Sequence, residues 1–471
     1  MGSEMCIRDS FDIGVPQGSG LSPLLFILFI SECSHLLHCS HAEFADDITL
    51  WYTCSDVFVM QAMLNEDLQT IENWARRMRL RFGDKNKFFL FHDVGAVPFD
   101  LKRIGGLHFY AQELEQASEC VLLGLHLDTS LTFKTHVDNT ITATKRRANM
   151  LRCLLGTRLI YNAKALLILY KGWIRSKIEY ASEVYCTFAA SHAKRLDTVQ
   201  NMCLRTILGS SKNTPAVILE NECSVSSLES RRSMRALMTY RKILSLQFQH
   251  PLRRMLRTWY SAEYTSDIQQ NNPPNFFSFC YHEHWRVFGT PPPFELSAEE
   301  TNPVPLALWS SLYRCPKTLD VHKHYRRTLR QNVREIQMDR LRNTHSARWY
   351  TSIHPQQRKD WIDRQPAGGK YLRVISRLRS GYSKIGHDFP DRFRVETRCP
   401  NCGASDSVEH LLINCISHYS ERNQLVETVS RLTEKPISVS VLLGFANVAS
   451  KISRAITVAT AKYVLSTKRN I

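Results

Sequence analysis

The chain has 471 residues, 43% hydrophobic and 22% charged, which is enough for two or three domains with their own cores and excludes a disordered or fibrous chain. Lys and Arg number 61 against 44 Asp and Glu, a formal net charge of +17 that favours a polyanionic partner, nucleic acid being the commonest; a merely well-solvated basic surface is the plainer alternative. The most apolar run, Leu21 to Ile30, is too short to cross a bilayer and contains Pro23, and Met1 to Ser10 lacks the apolar centre of a secretory signal, so no membrane role follows. The 14 cysteines therefore read as reduced thiols of an intracellular chain, in cytoplasm and nucleus, and most stand singly in apolar stretches, as Cys153, Cys186 and Cys203 do.

Residues 1–10 show neither helical nor strand periodicity and are read as a non-native leader. Pro16-Gln17-Gly18-Ser19-Gly20 signals a turn, and the dense apolar residues from Leu21 to His38 predict a mostly buried helix. Two short strands are expected around Glu43 to Tyr52, with a tight turn at Asp46-Asp47. A helix from Asp56 to Arg79 would place Met60, Met63, Leu64, Leu68, Ile71 and Trp74 on one face. Short β-like runs follow at Lys87 to Phe91 and Cys120 to Leu127.

After Asp128 the pattern is helical for more than a hundred residues, most clearly over Ala163 to Tyr185 and His192 to Leu208. The span from Ile141 to Tyr260 holds 21 Lys and Arg against 6 Asp and Glu, a concentration that a phosphate-tracking surface requires, with Lys145, Arg146 and Arg147 as candidate contacts. Ser261 to Pro305 is rich in Pro, Asn and Ser and reads as an irregular linker, because Pro291-Pro292-Pro293 cannot be helix interior; its His282-x-His284 pair is expected to be solvated. Helical periodicity returns over Thr318 to Arg342 and Lys370 to Leu378, ahead of a Cys/His cluster and a last helix.

Phe44-Ala45-Asp46-Asp47 sets two adjacent carboxylates between apolar residues in a strand–turn–strand context. At a buried turn their repulsion would be sharpened by desolvation, and a divalent cation would relieve it. Hard Mg²⁺ or Mn²⁺ suits carboxylates plus substrate phosphates, and two such ions can stabilise the attacking and leaving oxygens of nucleotidyl transfer. A solvated Asp-Asp turn without an ion is the alternative.

The ordered motifs extend this reading. Gly14-Val15-Pro16-Gln17-Gly18-Ser19-Gly20-Leu21-Ser22-Pro23-Leu24-Leu25-Phe26, followed by Phe44-Ala45-Asp46-Asp47, closely resembles the motif pair of reverse transcriptases from LINE-type, non-LTR retrotransposons. Trp74-Ala75 and the Asp84-Lys85 region are similar to the next palm motif, although Gly83-Asp84-Lys85-Asn86 departs from the usual Asn-Pro-x-Lys-Thr. Leu122 to Asp128, with Leu131-Thr132-Phe133 and His136, resembles the primer-grip hairpin and its exit. Leu169-Tyr170-Lys171, Glu179-Tyr180-Ala181-Ser182 and Gln200-Asn201-x-Cys203-Leu204-Arg205 resemble the helical region that follows in jockey-like elements.

The resemblance implies an RNA-directed DNA polymerase acting on an RNA template and a DNA primer. In it Asp46 and Asp47 would hold Mg²⁺, while Gln17, Gly18, Phe44 and Ala45 would line the template–nucleotide pocket. Lys85 would stand near the departing pyrophosphate. The family has a further metal-binding Asp on an earlier palm strand, and Asp12 is too close to the Gln-Gly motif to fill that role. The chain alone is therefore expected not to polymerise.

Cys399-x₂-Cys402-x₇-His410-x₄-Cys415 supplies three thiolates and an imidazole, enough to close a tetrahedral structural Zn²⁺ site with no vacancy for catalysis; unrelated buried residues are the alternative. The cluster resembles the Cys/His module near the C-terminus of jockey-like reverse transcriptases, as do Arg377 to Tyr382, Glu409-His410-Leu411-Leu412 and Arg422. The expected fold is thus α/β followed by all-α. The distal part of a polymerase palm with an antiparallel sheet would occupy 11–130, a helical basic thumb-like region 131–260 and a linker 261–305. An α-rich C-terminal region, 306–471, would carry the zinc module at 399–415. A non-catalytic nucleic-acid-binding protein, using the basic helices and the zinc module, is the alternative function.

Overall fold

The computed structural model describes residues 14–16, 18–83, 86–91, 105–156, 162–247, 249–262, 276–290, 321–354, 361, 369–385 and 398–469. They divide into two compact units, Met1–Thr132 and Phe133–Ile471. The fold is mixed α/β and rich in helix. Among the described residues no helix is long and apolar enough to cross a membrane.

In the first unit, helix α1 (Ser22–Ser34) starts with Pro23 in its first turn, where a missing N–H costs nothing. Strands β1 (Ser40–Phe44) and β2 (Asp47–Trp51) form an antiparallel hairpin in which Phe44 faces Asp47 at the closed end. Helix α2 (Val57–Arg77) is capped by Asp56, which accepts from the N–H groups of Phe58 at 2.8 Å and Val59 at 3.4 Å. It buries Ile71, Trp74 and Ala75 against Ile30 and Cys33 of α1 and against Phe109. Asp67 is fully buried on this helix, accepting from the N–H groups of His38 (3.0 Å) and Cys39 (2.7 Å) and so tying the entry of β1 to the middle of α2. Burial alone would raise its pKa, but those hydrogen bonds outweigh it and hold the carboxyl below its ordinary range.

Strands β3 (Lys87–Phe89) and β6 (Glu115–Ala117) pair in parallel, while β4 (His108–Phe109) with β5 (Gln112–Glu113), and β7 (Glu119–Leu122) with β8 (Leu125–Asp128), form antiparallel hairpins. In place of one antiparallel sheet, the described strands make four separate two-stranded ladders, one of them parallel. With two to five residues each, these strands pair mostly with their chain neighbours. The expectation for α1 is also corrected. Only Ser22, Ile30 and Cys33 are buried, whereas Leu24, Leu25, Ile27 and Leu28 are at least half exposed, because apolar residues encircle the helix and its neighbours cover one side.

The second unit is helical. α3 (Lys134–Gly156) packs on α6 (Ala190–Leu208) and on a continuous run in which α4 (Ala163–Leu169) passes through a π-helical stretch (Tyr170–Arg175) into α5 (Ser176–Glu179). A second cluster joins α8 (Leu228–Leu244), α9 (Pro251–Ala262), α10 (Phe276–Phe288) and α11 (Val321–Asn343). Helix α10 lies within the stretch expected to be an irregular linker. Its Phe277, Cys280, Tyr281 and Val287 are buried at helical spacing, an apolar face that the surrounding proline and asparagine composition obscures. His284 is accordingly buried, not solvated, and burial drives its pKa down to about 4.

The third cluster brings Val217 and Ile218 of α7 (Ala216–Glu222) together with α12 (Arg348–Ile353), α13 (Gly369–Ser380), α14 (Tyr419–Ser430), α15 (Val439–Leu442) and α16 (Ser450–Ser466). The thumb-like region and the C-terminal region, read apart in the sequence, therefore share a core. At its centre Arg379, 1% exposed, grips Glu222 with two bonds of 2.8 Å and donates to the Leu443 carbonyl at 2.5 Å. Its guanidinium lies between the rings of Trp361 and Phe445, 3.4 and 3.7 Å from their centroids. Tyr350 donates to Glu222 at 2.6 Å and accepts from Asn221 at 2.6 Å.

Breaking a buried pair strands its other charge, so Arg379→Met should cost roughly 3–5 kcal/mol in urea unfolding of the chain. Glu222→Leu with Arg379→Met should cost less than Arg379→Met alone, since no carboxylate is then left unpaired.

Candidate metal centres and basic surface

The carboxylate turn sits at the tip of the β1–β2 hairpin. Phe44 and Asp47 are the last paired residues, so the turn falls on Ala45 and Asp46, one residue before the expected Asp46-Asp47, and Asp47 opens β2 because it still pairs across the hairpin. Ala45 holds φ 54°, a left-handed conformation that glycine adopts more readily, so the turn carries local backbone strain. Phe44, Ala45, Asp46 and Asp47 are all exposed, which corrects the buried turn expected from the flanking apolar residues. The hairpin pairs with no third strand among the described residues, and its tip projects into solvent. Repulsion sharpened by burial is therefore not what calls for a cation here. Two open carboxylates at a narrow tip remain suited to hard cations that arrive with substrate phosphates.

Gly18 takes φ 89° in the turn before α1, a conformation that excludes most side chains, and Ser22 donates to the Pro16 carbonyl at 2.5 Å across that turn. Gln17 and Lys85 lie outside the described residues, as do residues 1–10.

Lys145 and Arg146 are exposed on α3, with Arg152 further along the same helix. Arg147 is turned inward: it donates to the Trp173 carbonyl at 2.5 Å and lies 5.6 Å from that ring, fastening α3 to the π-helical stretch. Much of the positive charge between Ile141 and Tyr260 is taken up in the same way. Arg231 forms a bidentate pair with Glu179 (2.7 and 2.6 Å), Arg235 pairs with Glu183 (3.0 and 3.2 Å), and Arg205 donates to the Thr214 carbonyl at 2.9 Å. Arg241 and Arg253 are buried. Net charge per segment could not distinguish these arginines from exposed ones, because both kinds alternate on the same helices.

Near the C-terminus, Cys399 and Cys402 stand on a tight knuckle. The Gly403 N–H donates to Cys399 O at 2.8 Å and the Cys399 N–H to Ala404 O at 2.7 Å, with Gly403 at φ 73°. His410 begins a short π-helical turn (His410–Asn414), after which the Cys415 N–H returns to the His410 carbonyl at 2.7 Å. The four donor atoms lie within 4.8 Å of one another. Cys415 Sγ is 3.9 Å from the sulfurs of Cys399 and Cys402, and Cys402 Sγ is 3.2 Å from His410 Nε2. A tetrahedral ion with sulfur ligands near 2.3 Å would set sulfurs about 3.8 Å apart, so the donor set fits one such ion.

The residues around this cluster were not visible in its spacing. Arg469, just after α16, donates to Cys399 Sγ at 3.2 Å and pairs with buried Asp406. Arg422 donates to the Cys415 carbonyl, and Tyr463 to the Leu411 carbonyl at 2.7 Å. Burial, then the neighbouring sulfurs, pushes the Cys415 thiol up to about 11.

Residues 10–127 match the sequence profile of the family described as "Reverse transcriptase (RNA-dependent DNA polymerase)", and the chain carries a reverse transcriptase domain. The chain is also similar to RNA-directed DNA polymerases of Drosophila transposons and mobile elements. The chain is 28% identical over 218 residues to "Probable RNA-directed DNA polymerase from transposon BS" of Drosophila melanogaster, an alignment covering 43% of this chain and 23% of that protein. It is 28% identical over 203 residues to the corresponding protein of transposon X-element, also probable by its name, from the same organism (42% and 22% covered). With the RNA-directed DNA polymerase from mobile element jockey of that fly, identity is 25% over 207 residues (42% and 22%). The chain spans less than a quarter of the length of these curated relatives.

Proposed function

We propose that these residues are the distal palm and thumb of a retrotransposon RNA-directed DNA polymerase, followed by a zinc-stabilised C-terminal module. The observation that carries the reading is the strained Phe44-Ala45-Asp46-Asp47 hairpin tip, open to solvent and lying inside residues 10–127. Asp46 and Asp47 would hold divalent cation, Mg²⁺ or Mn²⁺. That ion, when bound, offsets the charge that develops on the phosphates during nucleotidyl transfer. The turn at Ala45 and Asp46 leaves both carboxylates exposed at the hairpin's tip, and Asp67 anchors the hairpin's other end to α2. Gly18 leaves space for close approach of a base or sugar, and Lys145, Arg146 and Arg152 present charge to a nucleic-acid backbone.

Primer extension on an RNA template tests the first part. It is run with Mg²⁺ or Mn²⁺ on protein that joins these residues to the polymerase sequence preceding them in the relatives. Asp46→Ala should lower incorporation by more than the roughly 100-fold that loss of an outer-shell metal partner costs. Incorporation unchanged by Asp46→Ala would remove Asp46 from the chemistry.

Binding to nucleic acid should tolerate sequence and weaken with salt. If about five phosphates are neutralised, log affinity should fall against log salt with a slope of roughly −4 to −5. Lys145→Glu with Arg146→Glu should flatten that slope, and a salt-independent affinity would contradict the electrostatic reading.

For the C-terminal module, protein purified under reducing conditions should contain one zinc per chain, held by Cys399, Cys402, His410 and Cys415. Three thiolates crowded without an ion repel, so metal and local folding are coupled. Cys402→Ser should release the zinc and open 398–422 to proteolysis while the first unit stays folded. Elemental analysis showing no zinc would refute the assignment.

A further inference from the structure

A cavity of about 220 Å³ lies between α7, the turn that follows it, and the C-terminal half of α11. It is smaller than the roughly 300–1,000 Å³ clefts that enclose whole drug-sized ligands, and it suits a single ring system. Its floor is apolar, from Val217, Val225 and Leu341, all at least nine-tenths buried. Glu220, Ser226 and Gln337 add hydrogen-bonding groups to its wall. Arg334 and Arg340 also line it, with Arg340 exposed.

Burial raises the Glu220 carboxyl to about 7, with Asp197 adding to the shift and Arg340 opposing it. Near neutral pH this side chain therefore has both a donating and an accepting form. Apolar side chains with a few donors and acceptors at the edge are one way a protein holds an unstacked base.

The outside of α11 leads to this cavity. Lys323, Arg327, Arg330 and Arg334 recur at helical spacing on one face, over about 16 Å of helix. Arg326 flanks them, and Arg326, Arg327 and Arg330 are exposed with no ion pair among the described residues. The helix's carboxylates, Glu335 and Asp339, lie on another flank. Tyr325, Leu329 and Val333 face the core, so the basic stripe is the outer surface of a helix already fixed in place.

We propose that the cavity between α7 and α11 receives one unpaired base of a single-stranded nucleic acid whose phosphates follow the Lys323–Arg334 stripe. The assignment rests on the nucleic-acid reading above but not on polymerase activity. The stripe lies outside the Ile141–Tyr260 segment in which the sequence concentrates its charge.

The test uses the full chain and two probes: a 12-nucleotide single-stranded RNA bearing one 4-thiouridine, and a matched abasic strand. Photocrosslinks mapped by mass spectrometry should fall on residues 217–226 and 334–341. The base-bearing strand should bind roughly 2- to 13-fold more tightly than the abasic one, what one net hydrogen bond at the cavity's edge is worth. Ser226→Phe, which fills the cavity, and Gln337→Leu, which removes an edge contact, should each reduce both the crosslink and that preference, leaving abasic binding unchanged. Arg327→Glu with Arg330→Glu should weaken both strands alike. Equal affinity for the two strands, or crosslinks confined to α3 around Lys145 to Arg152, would overturn the base site while leaving salt-dependent binding in place. Loss of salt-dependent binding to both strands by the unaltered chain would overturn the nucleic-acid reading itself, and this site with it.

Discussion

The second unit is organised around one buried charge pair. Arg379 and Glu222 lie on α13 and α7, 157 residues apart in the chain, and each is nearly inaccessible to water. Two charges removed from solvent persist only if every polar direction is satisfied. Here Glu222 takes two arginine bonds and the Tyr350 hydroxyl, while Arg379 takes the Leu443 carbonyl and two aromatic faces. Helix α7, the end of α13, Tyr350 of α12 and the turn after α15 must all arrive for the pair to be tolerated. A hydrophobic replacement of similar volume could supply cohesion. What the ion pair adds is a single permitted arrangement, and that arrangement sets the neighbouring Glu220 beside α11.

In the first unit the corresponding constraint is Asp67. A carboxylate at zero exposure, holding backbone N–H groups at the entry to β1, fixes where the hairpin leaves α2. Because the hairpin is only five residues long on each side, fixing its base largely fixes its tip. The strain at Ala45 and the exposure of Asp46 and Asp47 then follow from a tight connection at the end of a short ribbon.

Local chemistry was legible where it is written in adjacent residues. The apolar face of α2 and a turn at the carboxylates follow from short-range pattern, and both are present, the turn one residue earlier than expected. Long-range partnerships were not legible. Nothing near Glu222 announces Arg379, and nothing near Cys399 announces Arg469, since each pair is joined only by the fold. The helix Phe276–Phe288 was hidden for a different reason. Its flanking prolines and asparagines dominate the composition of that stretch, although its own apolar spacing is helical. The parallel pairing of β3 with β6 has no short-range signature at all.

The overall charge of +17 therefore needs to be divided before it is interpreted. Arginines such as Arg147, Arg231, Arg235 and Arg379 donate to carbonyls and carboxylates inside the second unit, where their planar fork satisfies several acceptors at once. Those charges are neutralised by the fold or held against its aromatic rings, and they add little field outside. The remaining cations gather on exposed helix faces: Lys145, Arg146 and Arg152 on α3, and Arg326, Arg327 and Arg330 on α11. On α11, Arg326, Arg327 and Arg330 stand at three- and four-residue spacing, where like charges repel, with no ion pair among the described residues. A fold that needed basic residues only for its core would have no reason to place them so. That arrangement, in a chain whose other arginines find partners readily, is what the proposed nucleic-acid partner, itself a row of negative charge, would engage.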